Sequence, residues 1–555
     1  MSESVLATLT WLIPAGPLLA FALIILVTKK SPRVSFLTAW AGIITALVLS
    51  WIVAFNIFGL YLEDLHHLEE HPVIAESTVA WLPIGDYYSS GIGAAYEEAH
   101  MEEGAAAEHS EEAGEGEHGE EAAAEESHSS LYRGPWFTMG VVVDPLNAIM
   151  LFMVPFAVFM IFVYSVGYHN YGQKVGRYLG TPNHGEQEPM FSRFFAMMSL
   201  FAGAMLTLVV ADNLLLLFVG WEVMGFCSYS LIGFWYARRY ENETLQKLSP
   251  RDASVKAFMT TRVADVVMLM GIVFFYRTFG TLSFSQALSP ESLAAAADSL
   301  VLGTVGLGLM AVMIFTGTVG KSAQFPFHVW LPNAMEGPTP VSAVIHAAAM
   351  VSAGIFLLLR IFPLIAVGLE ANPIFGIIIA GIGAFTALMA ATIAVAQNDV
   401  KGVLAYSTIS QLGFMVAAIG VGAYIAAAFH LITHAFFKAL LFLGSGSVIH
   451  GMEHGAEHVH DHHTDPQDMR NMGGLMHKMP ITFWTFLIGG MALSGFPLVT
   501  AGFWSKDEIF ADAYYQATHG NGMGWVVFIV LSLAAALTAF YTTRQICMTF
   551  LGKPR

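Results

Sequence analysis

Ala428-Phe-His-Leu-Ile-Thr-His-Ala-Phe-Phe-Lys-Ala-Leu-Leu-Phe442 is the stretch that decides how this 555-residue chain is read. The run around it, from Tyr424 to Ile449, is long and apolar enough to cross a bilayer, yet it carries His430, His434 and Lys438. A step of four residues turns a helix through about 400° and lifts it about 6 Å, so the three groups form a slanting row roughly 12 Å long on one face. Such a row can pass a proton. A charged lysine at the bilayer centre costs at least about 2.5 kcal/mol, so the row is expected to face protein or a water-filled cavity. Two plainer readings stand beside this one. Each His could bond a backbone carbonyl while the Lys snorkels, or the i, i+4 His pair could hold zinc, although no carboxylate or Cys of this helix completes such a site.

Composition agrees with a membrane setting. Hydrophobic residues make up 55% of the chain and charged residues 12%, with a mean hydropathy of +0.61, which excludes a soluble enzyme and fits an all-α polytopic membrane protein. The net charge of −18 is local, because 13 glutamates and no Lys or Arg fall between Glu97 and Glu126. The low-complexity stretch Ala94 to Ser130 is expected to be a disordered external loop, its His100, His109, His118 and His128 being loose metal binders at most. Cys227 and Cys547 give no CxxC, iron-sulfur spacing or disulfide framework, and no GxGxxG or P-loop occurs. No electron carrier or nucleotide is expected in this chain, and no nucleic-acid partner.

About thirteen transmembrane helices are expected: Leu9 to Thr28, Val34 to Phe58, Val142 to Val166, Phe191 to Val210, Leu214 to Phe234, Val255 to Tyr276, Val301 to Val319, Val341 to Ile361, Phe375 to Ala396, Val403 to Gly420, Tyr424 to Ile449, Ile481 to Phe496 with a broken continuation to Phe510, and Trp525 to Ile546. Basic residues gather in alternate connections, at Lys29/Lys30/Arg33, Lys174/Arg177, Arg238/Arg239/Lys247/Arg251, Lys401 and Arg470/Lys478. The positive-inside rule then places the N-terminus outside and Lys553 and Arg555 in the cytoplasm, in the cell inner (plasma) membrane. No cleavable signal is evident. Two helices look broken, one after Lys321 at Pro326 and Pro332, the other at Leu493-Ser-Gly-Phe-Pro497, and each break sits beside a lysine. Ala211-Asp-Asn213 and Gln397-Asn-Asp399, each just before a span, echo one another, and paired breaks in two halves mark inverted-repeat transporters.

Further ionisable residues lie inside spans. Glu222 and Lys321 are expected to be partners, a desolvated carboxylate and a desolvated amine each holding or releasing a proton according to their spacing; a static ion pair is the plainer alternative. His346 could relay a proton or be a satisfied core histidine. Asp399 with Lys401, and Lys506-Asp507-Glu508, extend the series. Arg262 and Asp265, three apart on one helix, read as a local structural pair.

Six motifs carry a resemblance. Trp221-Glu-Val-Met-Gly-Phe-Cys-Ser-Tyr-Ser-Leu-Ile-Gly-Phe-Trp235, Gly320-Lys-Ser-Ala-Gln-Phe-Pro-Phe, Gly337-Pro-Thr-Pro-Val-Ser-Ala-Val-Ile-His346, Leu404-Ala-Tyr-Ser-Thr, His434-Ala-Phe-Phe-Lys-Ala-Leu-Leu-Phe and Phe503-Trp-Ser-Lys-Asp-Glu-Ile together closely resemble the L, or subunit 5, family of antiporter-like subunits of proton-pumping NADH:quinone oxidoreductase, respiratory complex I. The likeness spans roughly Asp144 to Arg555. It implies two inverted five-helix repeats, each with a half-channel, and a proton path through Glu222, Lys321, His346, His430, His434, Lys438 and Lys506, with Asp507 beside the exit. It also implies that NADH, FMN, iron-sulfur clusters and quinone belong to partner subunits, and that the partners are other membrane subunits, above all a neighbouring antiporter-like one. The expected division is residues 1–60 for two helices, 61–134 for the external loop, 135–190 for a third helix and cytoplasmic loop, 191–362 and 363–547 for the repeats, and 548–555 for a tail. The family continues beyond this point with a lateral helix, so the remainder is expected either to be encoded separately or to be missing from a truncated form. A Mrp-type Na⁺/H⁺ antiporter subunit and a membrane-bound hydrogenase subunit are the alternatives.

His450, His454, His458, His460, His462 and His463 are expected to form a second His-rich loop on the cytoplasmic side, read as dispensable with weak metal binding at most. On that composition-based reading alone, deleting Glu453 to Thr464 would leave NADH-driven proton pumping in vesicles at the wild-type rate; lost pumping is the contrary outcome.

Overall fold

The computed structural model describes residues 1–63, 73–83, 136–183, 185–240, 248–301, 303–461 and 464–553. The acidic stretch with its four histidines, and His462 and His463, lie outside the described residues. The membrane helices are α1 (Glu3–Leu23), α2 (Pro32–Glu63), α3 (Pro145–Tyr168), α4 (Phe191–Val210), α5 (Leu214–Ile232), α6 (Pro250–Phe279), α7 (Thr304–Lys321) and α8 (Thr339–Arg360). They continue with α9 (Pro373–Ala396), α10 (Val400–Gly420), α11 (Tyr424–His458), α12 (Pro480–Ser494), α13 (Ala501–Thr518) and α14 (Gly522–Phe550). Twelve of the described helices are long and apolar enough to cross a membrane; α12, at 15 residues, falls short alone and is followed across a break by α13.

Helix starts follow from chain chemistry. With no water in hydrocarbon, the four free N–H groups of each first turn need protein acceptors. Asp144 supplies one to Asn147 N (2.8 Å) ahead of Pro145, Asn372 one to Ile374 N (3.0 Å) ahead of Pro373, Asn213 one to Leu216 N (2.8 Å) and Asp399 one to Gly402 N (2.6 Å). The echo between Ala211-Asp-Asn213 and Gln397-Asn-Asp399 therefore has a physical content: each triplet caps the helix that follows it.

One expectation is corrected. The third span does not begin at Val142. Trp136–Val143 is a strand, β2, paired antiparallel with β1 (Ala75–Pro83), Ala75 facing Val143 and Thr78 facing Gly140. Val141-Val-Val143 reads as the start of an apolar span by hydropathy, but a β-branched run favours an extended backbone, and Asp144-Pro145 is the true helix start. The hairpin is tied down through Trp11 Nε1 to Ser77 Oγ (3.3 Å), Asn213 Nδ2 to the Thr138 carbonyl (3.2 Å) and Asp212 N to the Gly140 carbonyl (3.2 Å).

The connections sort onto two faces. The hairpin, the 211–213 turn and Ser283 bond to one another on one face. On the other, Ala237 N bonds the Gly180 carbonyl, Tyr240 Oη bonds Glu336 (2.6 Å), Val400 N bonds the Gln467 carbonyl and Gly474 N bonds the Leu551 carbonyl. The second face carries the basic connections.

Both expected breaks are present, in different forms. After Lys321 no second helix follows; the chain passes through single turns at Phe327–Trp330 and Asn333–Glu336 before α8. Pro326 cannot donate to the Ser322 carbonyl, and Gln324 Nε2 does so instead (2.8 Å). At the second break Pro497 cannot donate to the Leu493 carbonyl, and that acceptor is taken by Lys506 Nζ (2.6 Å). The lysine beside the second break is thus held by the carbonyl that proline leaves open.

Asp212, almost fully buried under Gly140, has its carboxyl pushed up to about 7, first by burial and then by the Glu76 carboxylate. Between the unfolded value of about 3.9 and about 7 the folded chain keeps a proton that the unfolded chain releases, so stability falls as pH rises through that window. Asp212→Asn should flatten this dependence in thermal unfolding of the purified protein between about pH 5 and pH 8, and equal slopes for both proteins would contradict it.

Candidate functional site

The first group of ionisable residues lies between α5, α6 and α7. Glu222 forms an ion pair with Arg262, while Lys321 Nζ sits 3.6 Å from Asp265 Oδ2. Asp265 Oδ1 also accepts from Trp221 Nε1 (2.7 Å), and the Lys321 ammonium lies 5.5 Å from the Trp221 ring. Arg262 and Asp265 are therefore not a pair with each other. Residues three apart point about 60° apart on a helix, and here Arg262 reaches Glu222 on α5 while Asp265 reaches Lys321 on α7 and Trp221 on α5. The expected Glu222–Lys321 partnership is likewise replaced by two crossed pairs within one four-charge group. Its two ends differ in burial: Lys321 and Asp265 side chains are 1% and 2% exposed, Glu222 and Arg262 20% and 37%. At 3.6 Å the Lys321–Asp265 contact is an ion pair but too long for a hydrogen bond, and Lys321 Nζ has no hydrogen-bond acceptor among the described residues. Gly225 gives the ammonium its room, since a Cβ there would lie 2.6 Å from Lys321 Nζ.

The second group follows α11. Its row faces α8, α10 and α13, and every member is fully buried. His430 Nδ1 shares a hydrogen bond with Ser505 Oγ (2.8 Å), which also meets Thr433 Oγ1 (2.9 Å), and His430 Nε2 meets Gln411 Oε1 (3.0 Å). The His434 ring centre is 6.4 Å from that of His430. Lys438 Nζ donates to Ser407 Oγ and, at 3.4 Å, to the Leu404 carbonyl. His346, on a π-turn of α8 (Val344–Ala348), stacks at 4.7 Å from Phe442, one turn beyond Lys438. Lys506, beside Ser505, closes the series.

Two features give the row its chemistry. The acceptors of Lys438 and Lys506 are hydroxyl and carbonyl oxygens, which stabilise an ammonium without fixing it as a carboxylate would. Neither ring nitrogen of His346 or of His434 has a partner among the described residues, and Ser342 Oγ lacks one too. Buried polar atoms rarely stay unpaired, so orphans strung along one path mark places for water. With water between them, imidazoles and amines can hand a proton along the row.

Three expected residues stand apart. Lys401 Nζ donates to the carbonyls of Met335 (2.9 Å) and Gly337 (3.1 Å), pinning the connection after the first break to α10. Asp399 caps α10, and burial pushes it up to about 6. Asp507 is exposed on α13, turned about 100° from Lys506 and off the buried row. Sequence reading missed Trp221, Gln411, Ser407 and Ser505, the neutral partners that hold the charged ones; polar residues inside apolar spans were their only signal. Among the described residues no three His, Cys, Asp or Glu side chains converge as metal ligands.

Broken helices flanking a buried file of Lys and His define the class of antiporter-like membrane proteins. Residues 211–538 match the family described as NADH:quinone oxidoreductase/Mrp antiporter, TM, and residues 134–179 match that described as NADH-Ubiquinone oxidoreductase (complex I), chain 5 N-terminus. The chain belongs to the NADH:quinone oxidoreductase/Mrp antiporter family. It is 46% identical over 417 residues to NAD(P)H-quinone oxidoreductase chain 5 of Synechocystis sp., covering 75% of this chain and 55% of that protein. It is 45% identical over 414 residues to the chloroplastic subunit 5 of Zygnema circumcarinatum, covering 75% and 53%. A solved structure of the Mrp complex from Dietzia sp. superposes with a TM-score of 0.65 at 27% identity, over 97% of this chain and 47% of that one. The chain spans about half the length of the curated relatives it matches.

Trp221→Phe leaves the buried Asp265 Oδ1 without its donor and should cost about 1–3 kcal/mol, read as a lower melting temperature of the purified protein. An unchanged melting temperature would contradict the role given to that bond.

Proposed function

We propose that this chain is a membrane-arm subunit of a proton-translocating NADH:quinone oxidoreductase and moves protons through Glu222, Lys321, His346, Lys438, His434, His430 and Lys506, driven by redox chemistry in partner subunits. The observation that carries this is the fully buried file on α8, α11 and α13, whose lysines meet neutral acceptors and whose imidazoles lack partners. The Glu222–Arg262 end of the four-charge group, reached from outside mainly at Arg262, offers a neighbouring membrane subunit an electrostatic handle. A charge brought near it would rebalance the crossed pairs and change the hold of Asp265 on Lys321. Residues 191–362 and 363–547 act as two inverted repeats, a reading supported by the matching helix caps at Asn213 and Asp399. In this reading the basic face is cytoplasmic and the N-terminus lies on the other side, which the Lys and Arg distribution supports, and the membrane is the plasma membrane. NADH, FMN, iron-sulfur clusters and quinone belong to partner subunits in this reading.

The structural likeness to a Mrp complex favours one second reading, an antiporter subunit exchanging Na⁺ for H⁺ through the same file. Proton pumping separates the two. In vesicles holding the native assembly, Lys321→Ala and Lys506→Ala should each cut NADH-driven proton uptake at least severalfold. Wild-type rates in both would remove the lysines from the path, and sodium-dependent exchange without NADH would favour the antiporter.

A further inference from the structure

On the basic face, the end of α3, the following loop and the last turns of α11 enclose a small open cleft of about 30 Å³, room enough for water. Tyr168, His169, Glu188, His450, Glu453 and His454 are among the residues that line it. This corrects the expectation of a dispensable His-rich loop from His450 onward: α11 continues unbroken to His458, so the helix that carries His430, His434 and Lys438 also carries His450, Glu453 and His454.

We propose that this cleft is the port through which protons enter the buried row, passing from Glu453 and His450 by way of Tyr168, Thr339 and Ser342 to His346. The proposal rests on the proton-translocating reading above. Its first link is direct: Tyr168 Oη lies 3.2 Å from Thr339 Oγ1 and accepts from Thr339 N (3.3 Å), where α3 meets the start of α8. The next links follow from helix spacing. Thr339, Ser342 and His346 are three and four residues apart, so they share one face of α8 and are separated by about one turn, a gap that one or two waters fill. The hydroxyl of Ser342 and both ring nitrogens of His346 are fully buried and have no partner among the described residues, as a water-lined path between them requires. His346 packs against Phe442, one turn along α11 from Lys438, and water beside that ring would carry the proton from His346 to Lys438.

The outer wall fits a port. The His450 and His454 rings are 4.6 Å apart, and the His450 ring is 5.9 Å from Tyr168. His169 is buried with Nε2 unpartnered, and burial, with His450 beside it, holds its imidazole down near 3, so it stays neutral at ordinary pH and adds no positive charge to repel an entering proton. Glu188 accepts from Trp235 Nε1 (3.1 Å) and Met190 N (3.2 Å), which fix its carboxyl group on the wall, while burial pushes its pKa up. Glu453 takes a proton from water and His450 passes it on. Each hydroxyl then accepts one proton and releases another, so Tyr168, Thr339 and Ser342 carry no lasting charge, and one proton arrives at His346 for each one taken up.

The test uses the native assembly in membrane vesicles, with NADH-driven proton uptake normalised to assembled enzyme. Thr339→Val and Glu453→Gln should each lower uptake at least fivefold, and Thr339→Ser, which keeps the hydroxyl, should restore it. Glu457→Gln, one turn further along α11 and outside the cleft lining, should match wild type. Lys438→Ala is run alongside. If Thr339→Val and Glu453→Gln take up protons at the wild-type rate while Lys438→Ala does not, the port is wrong and the buried row stands. If Lys438→Ala is also at the wild-type rate, the translocation reading falls and the port with it. Loss of uptake in Thr339→Val that Thr339→Ser does not restore would reduce Thr339 to a packing residue and overturn the relay.

Discussion

An ammonium group stripped of water must be given oxygen atoms, and the choice of oxygen decides what it can do. In this chain Lys438 and Lys506 are fully enclosed and receive hydroxyl and carbonyl oxygens, whereas Lys321 has a carboxylate within ion-pair distance. A carboxylate partner in a low-dielectric site holds the charge in place; neutral dipoles leave the charged and discharged forms closer in free energy. The breaks, the buried imidazoles and the polar residues scattered through apolar helices all serve that condition.

The two breaks show how the backbone contributes. Proline removes one N–H from a helix and so frees one carbonyl four residues earlier. At Pro326 a side-chain amide, Gln324, fills the vacancy, and Lys321 is left to Asp265. At Pro497 Lys506 itself fills it. A similar sequence device therefore yields two different lysine environments, one charged-paired and open to electrostatic input from the Glu222–Arg262 end, the other dipole-paired and closed.

Much of this was readable from residue spacing. His430, His434 and Lys438 had to share a face because four residues nearly complete a turn, and the prolines beside Lys321 and Lys506 had to interrupt helices. What spacing could not give was which neighbour each charge meets. Arg262 and Asp265 look like a local pair, yet they diverge to Glu222 and Lys321, since adjacency along one helix says nothing about the helices packed on either side. Hydropathy also misplaced the start of α3, because Val141-Val-Val143 is as apolar as a helix but β-branched enough to pair as a strand. The neutral partners Ser407, Gln411 and Ser505 were unreadable for the same reason as the pairs: each acts across a helix contact.

The central claim is that water joins the buried groups into one path from Lys321 through His346, Lys438, His434 and His430 to Lys506. A cryo-EM map of the native assembly fine enough to show ordered water tests it most directly. Density for water beside the unpaired nitrogens of His346 and His434 and between Lys438 and His346 is the expected result. A dry, closely packed gap anywhere along that file, too wide for a hydrogen bond and too narrow for water, would contradict it.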